Sequence, residues 1–200
     1  MKKLLTGLAF VLVSTGAMAG TKSFNLSLTP DISVYGRSET IHGVTLSIWG
    51  ENPQQSLAIG LVNGATEKSA GLSIGILNYA DSYKGVQWGV VNYTSGNFSG
   101  WQGGPFFGLL VSAVNYTGGD MTGLQIGAVN YVGGDMAGLQ VGVVNCVSRL
   151  SGLQLGIVNY AAAADAGVQI GLVNVIPPNP WFTGLPEQLA PAMILVNWRF

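Results

Sequence analysis

The sequence predicts an all-β fold: an up-and-down antiparallel β-barrel of about 10–12 strands, or alternatively a parallel β-solenoid, built in either case from 14–15-residue repeats. Three observations carry this. The phrase Gly-Leu-Gln-Ile-Gly-Ala-Val-Asn at 123–130 returns at 138–145, 152–159 and 167–174, with weaker copies ending at Asn63, Asn78, Asn92 and Asn115. Measured asparagine to asparagine from 63 to 197, the steps are 15, 14, 23, 15, 15, 14, 15 and 23, and a fixed short period marks a repeat architecture. Second, 48% hydrophobic and only 8% charged residues with 30 glycines is too apolar for an ordinary soluble domain and too glycine-rich for a helical one. Third, the chain closes on an apolar alternation that ends at Phe200.

Taken in order, residues 1–19 read as a secretory signal peptide, with Lys2 and Lys3 before an apolar run to Val13 and Ala17-Met18-Ala19 as the cleavage site. Residues 20–200 then form a single β-repeat domain. It carries six basic and nine acidic side chains, a formal −3, which does not point to a nucleic-acid partner. Thr21–Pro30 alternates Phe24, Leu26 and Leu28 with Asn25, Ser27 and Thr29, a strand pattern. Asp31 to His42 is the densest polar cluster, and Val44 to Trp49 alternates again. From Ser56 each unit has about nine extended residues and then a turn such as Val132-Gly133-Gly134-Asp135, where paired glycines accept positive φ. Residues 99–107 interrupt the period as a longer aromatic loop, and Pro177, Pro178, Pro180 and Pro186 punctuate the chain before its last strand.

Strand parity places Leu124, Ile126 and Ala128 on a lipid face and Gln125, Gly127 and Val129 inward. Trp88, in the position of Ile126 and Leu155, fits against lipid more readily than inside a narrow coil. Tyr79, Tyr93, Tyr116, Tyr131 and Tyr160 at strand ends suit the aromatic girdles of a membrane barrel. Ile194, Val196, Trp198 and Phe200 resemble a carboxy-terminal barrel-insertion signal, but aligning Asn197 with the other asparagines puts Ile194, Val196 and Trp198 at the positions of Gly127, Val129 and Tyr131, so either the last strand is shifted by a bulge or the Leu/Ile face is a packed interior. The implied partners are outer-membrane lipid and the barrel-assembly machinery, and the implied location is the outer membrane of a Gram-negative bacterium. For the solenoid stand the near-constant period and an asparagine at the same place in each unit, which stacked coils would turn into an internal ladder.

The Gly-Leu-Gln-x-Gly-x-Val-Asn units over about 56–175 resemble a family of bacterial surface-repeat proteins typified by those of leptospires. The resemblance implies export and a surface or outer-membrane location, and it carries no biochemical activity or functional residue with it.

Candidate sites are few. Gln87, Gln125, Gln140, Gln154 and Gln169 would line a narrow lumen for passive solute passage or form a polar ladder. Arg37, Glu39 and His42 read as a solvated rim, and with His42 the only histidine no histidine metal cluster can be built. Asp120 and Asp135 read as turn chemistry and not as a calcium motif. Cys146 reads as a tolerated substitution. The expectation is therefore a structural or surface-interaction protein that is no enzyme and has no cofactor or metal.

Overall fold

The computed structural model describes residues 22–104 and 113–200. The signal-peptide reading of 1–19, and residues 105–107 of the expected loop, lie outside them. Every described element is a strand, turn or bend: β1 (Lys22–Thr29), β2 (Ile32–Ser33), β3 (Ile41–Asn52), β4 (Leu57–Ile74), β5 (Leu77–Trp88), β6 (Val91–Thr94), β7 (Phe98–Gly103), β8 (Val114–Thr117), β9 (Met121–Ile126), β10 (Val129–Val175) and β11 (Ala192–Arg199).

Each repeat is one coil. Its two β-rich halves are separated by Gly-x, where the chain bends, as at Gly127–Ala128 between β9 and β10. The following turn then brings the chain back above its own start. Successive coils pair in parallel, like residue over like residue: Asn130 on Asn115, Tyr131 on Tyr116, Gly138 on Gly123 and Gln140 on Gln125. About seven such turns form a β-solenoid. Register survives the long step, since Asn115 lies on Asn92 and Gln125 on Gln102. Within that step, residues 98–103 are strand β7 and not the loop that the broken period suggests.

This overturns the antiparallel barrel. Among the described strands every pairing from β1 through β3 to β10 is parallel, and only β1–β2 and β10–β11 are antiparallel. The physical reason is the amide at each repeat's fixed position. Parallel, in-register stacking sets identical amides one strand spacing apart, about 4.8 Å, where each bonds the next; antiparallel neighbours would set an asparagine opposite a turn.

Four columns of side chains fill the interior. Asparagines and glutamines make two of them. The third runs through Ala80, Thr94, Thr117, Val132, Val147 and Ala161, two residues after each asparagine, and the fourth through Tyr83, Phe98, Met121, Met136 and Leu150. Volumes compensate within a coil: bulky Tyr83 and Phe98 share theirs with small Ala80 and Thr94.

Both ends of the stack are closed by chain reversal. At the start, β2 turns back along β1, and Val34 N–H donates to the Leu26 carbonyl at 3.0 Å. At the finish, β11 lies antiparallel on β10, and residues 187–189 fold back over its outer edge through Phe200 N–H to Glu187 O at 2.8 Å and Leu189 N–H to Trp198 O at 3.3 Å. An open parallel edge would template further pairing, so these segments are caps.

Candidate functional site

The interior is the most ordered polar array in the molecule. Asn63, Asn78, Asn92, Asn115, Asn130, Asn145 and Asn159 each donate an Nδ2 hydrogen to the Oδ1 of the next asparagine, ending on Asn174, at 2.8–3.0 Å. Most use the second hydrogen on the carbonyl that precedes the next coil's bend, as Asn130 does on Val141 O at 2.9 Å. The bend glycine is the counterpart of that bond: a Cβ at Gly156 would lie 2.6 Å from Asn145 Nδ2 and 2.5 Å from Gly142 O. The glycine before Leu-Gln has a different cause. Gly138 has φ +146° and a Cβ there would meet Gly123 O at 2.0 Å, so both the conformation and the close approach require glycine.

The glutamines form the second ladder and point the other way. Gln169, Gln154, Gln140, Gln125 and Gln102 each donate to the Oε1 of the glutamine one coil earlier, at 2.7–2.9 Å, down to Gln87. Asparagine bonds therefore run toward the carboxy-terminal end and glutamine bonds toward the amino-terminal end, so the two rows of amide dipoles oppose each other. The glutamine row leaves one unmet group at each end, Nε2 of Gln87 and Oε1 of Gln169. At the amino-terminal end the row meets Ser73, whose hydroxyl is already bonded to Asn78 Oδ1 at 2.8 Å.

Of the two readings of the glutamines, the ladder is the one found. Gln125, Gln140, Gln154 and Gln169 are fully buried and Gln87 nearly so, with their amides bonded to each other. No lumen passes between them, and the passive-pore expectation is corrected accordingly.

The strand faces also need correction. Gln125 and Gly127 point inward and Leu124, Ile126 and Ala128 outward, as parity predicts, but Val129 is exposed because the bend resets the alternation. Trp88 is indeed outside, where it packs edge-on against Trp101 at 4.9 Å; a solenoid coil has an outside too, so its size did not select the barrel. The tyrosines form a column along one flank and not girdles: Tyr93, Tyr116 and Tyr131 stack with ring centroids 4.9 and 5.1 Å apart. Cys146 occupies the same column, half-buried, and burial raises its thiol pKa, away from a reactive thiolate.

Ile194, Val196 and Trp198 lie on the capping strand β11 and Phe200 directly follows it, with Ile194 and Phe200 largely exposed. The alignment of Asn197 with the other asparagines is not realised: Asn197 pairs with Gln169, and the register shift falls between the Gly171–Leu195 and Asn174–Met193 pairs, where β10 and not the last strand carries the extra residue, at its bend; Leu195 has φ +68°. Trp198 donates Nε1–H to Pro186 O at 2.8 Å, which ties down the cap.

Sequence reading missed a ridge. One aliphatic side chain per coil sits at the bend, two residues before each ladder asparagine. Leu61, Ile76, Val143, Ile157 and Leu172 are each about half exposed or more, and Ile48 precedes them on the first coil. Val90, Ala113 and Ala128 continue the row, and backbone bonds link its members from coil to coil, Ile76 N–H to Leu61 O at 2.9 Å and Val143 N–H to Ala128 O at 2.9 Å. The signal was present as the variable x of Gly-x-Val-Asn, which is apolar in every unit.

The charges occupy the opposite junction of the coil. Asp81, Asp120, Asp135, Arg149 and Asp165 all lie where the chain passes from one coil to the next, and around Asp135 that passage is part of strand β10 and not the turn that the paired glycines suggest. There the aspartates accept from the neighbouring coil's backbone, Asp120 Oδ1 from Asp135 N–H at 2.9 Å and Asp81 Oδ2 from Glu67 N–H at 2.8 Å, while Arg149 bridges Asp135 and Asp165 at 3.5 and 3.0 Å. A groove of ≈ 630 Å³ opens along this edge beside Lys68, Lys84, Tyr83 and Asp120. Among the described residues no cluster of three His, Cys, Asp or Glu could hold a metal.

The expected rim resolves into separate pairs near the first coil. Arg37 bonds Asp31 at 3.1 Å and Glu51 at 3.2 Å, Glu39 pairs with Lys22, and His42 is exposed. Tyr79 O–H donates to Glu51 and accepts from Trp49 Nε1–H at 3.1 Å; burial first, and then the bond to Glu51, push its phenol up to about 12.

No protein family, curated protein or solved structure compared with this chain matches it.

Proposed function

We propose that this protein is an exported, non-catalytic interaction scaffold that works at the outer surface of a Gram-negative cell. The observation that carries the reading is the distribution of chemistry over the coil. The interior amides are bonded to one another in the two ladders, while the outward positions repeat an apolar surface from coil to coil. Single exposed apolar residues are ordinary, but contiguous apolar patches of more than a few hundred Å² mark interaction sites. A repeating surface multiplies a weak contact by the number of coils that take part. The signal-peptide pattern at 1–19 and the resemblance of the repeat units to surface-repeat proteins support the location.

The test is expression of the full chain in a Gram-negative host, with Asp135→Cys introduced in a Cys146→Val background. Asp135 lies on the charged edge, and valine already stands at the equivalent position 175. The expected result is a processed protein beginning at Gly20 whose introduced thiol at position 135 reacts with a membrane-impermeant maleimide on intact cells. Retention in the cytoplasm with residues 1–19 intact, or labelling only after lysis, would overturn the reading.

A further inference from the structure

We propose that the scaffold's partner is a lipid bilayer surface, with the aliphatic ridge laid into the membrane and the solenoid axis parallel to its plane. This rests on the scaffold reading and names what that scaffold binds.

Three observations favour lipid over a second protein surface. The first is shape. The ridge stands on the bend of each coil, a convex corner between two strands, so a flat partner would touch it only along a line. A dimer of standard size needs about 800 Å² from each partner, and two convex corners meeting edge to edge cannot supply it. A fluid bilayer closes around a convex edge and covers both flanks.

The second is charge. Over residues 57–175 the ridge and the outward positions beside it, such as Leu139, Val141, Val144 and Cys146, carry no charged side chain. All the charges of this stretch lie on the turn edge or at its border, at the opposite junction. With the ridge buried, that edge stays in water and nothing ionised is desolvated. This is the division of faces that lets an amphipathic element lie in a membrane interface, its apolar side some 5–10 Å deep.

The third is the placement of aromatics. Tyr79, Tyr93, Tyr116, Tyr131 and Tyr160 run down one flank just beyond the ridge, and Trp88 and Trp101 sit on the other. Amphipathic rings on both sides of an apolar wedge match the headgroup level of a bilayer. From the Leu61 coil to the Leu172 coil the row makes seven steps of about 4.8 Å, roughly 34 Å of contact along the membrane.

The experiment uses the purified full-length mature chain and zwitterionic phosphatidylcholine vesicles, so that attraction between net charges contributes nothing. In flotation, the wild type is expected to rise with the vesicles at both 0.1 M and 1 M salt. The variant Ile76→Thr/Val143→Thr/Ile157→Thr/Leu172→Thr, which keeps strand-forming side chains at exposed positions, is expected to lose at least tenfold in partitioning. A turn-edge control, Thr122→Lys/Ala137→Lys/Ala166→Lys, is expected to partition as the wild type does. Circular dichroism establishes that each variant is folded. As a measurement that needs no ridge variant, a nitroxide on Cys146 should become more accessible to oxygen and less to a water-soluble relaxant when vesicles are added, while one at Asp135→Cys should stay in water.

A wild type that never floats, a folded ridge variant that floats unchanged, or a nitroxide at Cys146 that remains in water would each overturn the proposal. So would a lipid-independent dimer that the ridge variant dissociates, because the ridge would then bind a second copy. None of these outcomes affects maleimide labelling on intact cells, so loss of the lipid partner and loss of the surface scaffold are distinguishable.

Discussion

At the residue scale, each repeat is governed by two amides and two glycines. An interior amide is tolerated only when its donors and acceptor are met, because a buried unsatisfied polar group costs about 1–3 kcal/mol. The ladders meet that requirement for every middle member and fail only at the glutamine ends, Gln87 and Gln169. Position therefore sets the cost of a substitution of constant chemistry. Gln125→Met removes a donor to Gln102 and an acceptor for Gln140, and should destabilise by about 2–4 kcal/mol. Gln169→Met frees Gln154 Oε1 and the Val175 carbonyl but leaves no donor unmet and also deletes an unmet acceptor, so it should cost less, about 1–2 kcal/mol. Urea midpoints of the two variants decide it, and equal losses would mean that the ladder bonds are not what the glutamines contribute.

At the scale of elements, the parallel coils depend on strands that are not part of the repeat. β11 reverses direction, pairs with β10 across a register shift at the β10 bend and accepts the cover of residues 187–189, so the last coil presents no free edge. Removing residues 176–200 would leave the Asn159–Val175 edge of β10 bare, with its amides and backbone groups ready to pair. That truncated chain should associate in proportion to its concentration, with rising thioflavin fluorescence, while the full chain stays monodisperse in detergent. A truncated chain that remained monomeric and folded would show that the cap is dispensable. The terminal aromatic pattern is legible in the sequence, but its meaning depends on what β11 packs against, and that is the edge of the last coil of a solenoid.

At the scale of the whole molecule, stability in a solenoid is close to a sum over coils and their interfaces. Duplicating residues 146–159, one full fourteen-residue step between ladder asparagines, should insert a coil that continues both ladders, and the melting temperature should stay within a few degrees or rise. Duplicating seven residues would set asparagine against turn and should abolish cooperative melting. Calorimetry on the two insertions separates a stacked array from a fold closed at fixed strand number, which would reject either one.

The sequence by itself determined the repeat, its period, the all-β class and the positions of both amide columns, because those follow from residue identity and spacing. It left the barrel and the solenoid both open, since alternation records which side chains share a face and not whether that face looks at a lumen, a core or lipid. Only the tertiary structure decided strand direction, and with it that Asn lies over Asn and Gln over Gln, which turned polar residues into the interior. It also decided that the bend resets parity, sending Ala128 and Val129 both outward, so that an unremarked variable position became a ridge. The physical reason is that hydrogen bonds between identical amides exist only once coils stack in register, and a linear sequence carries the amides but not the stacking.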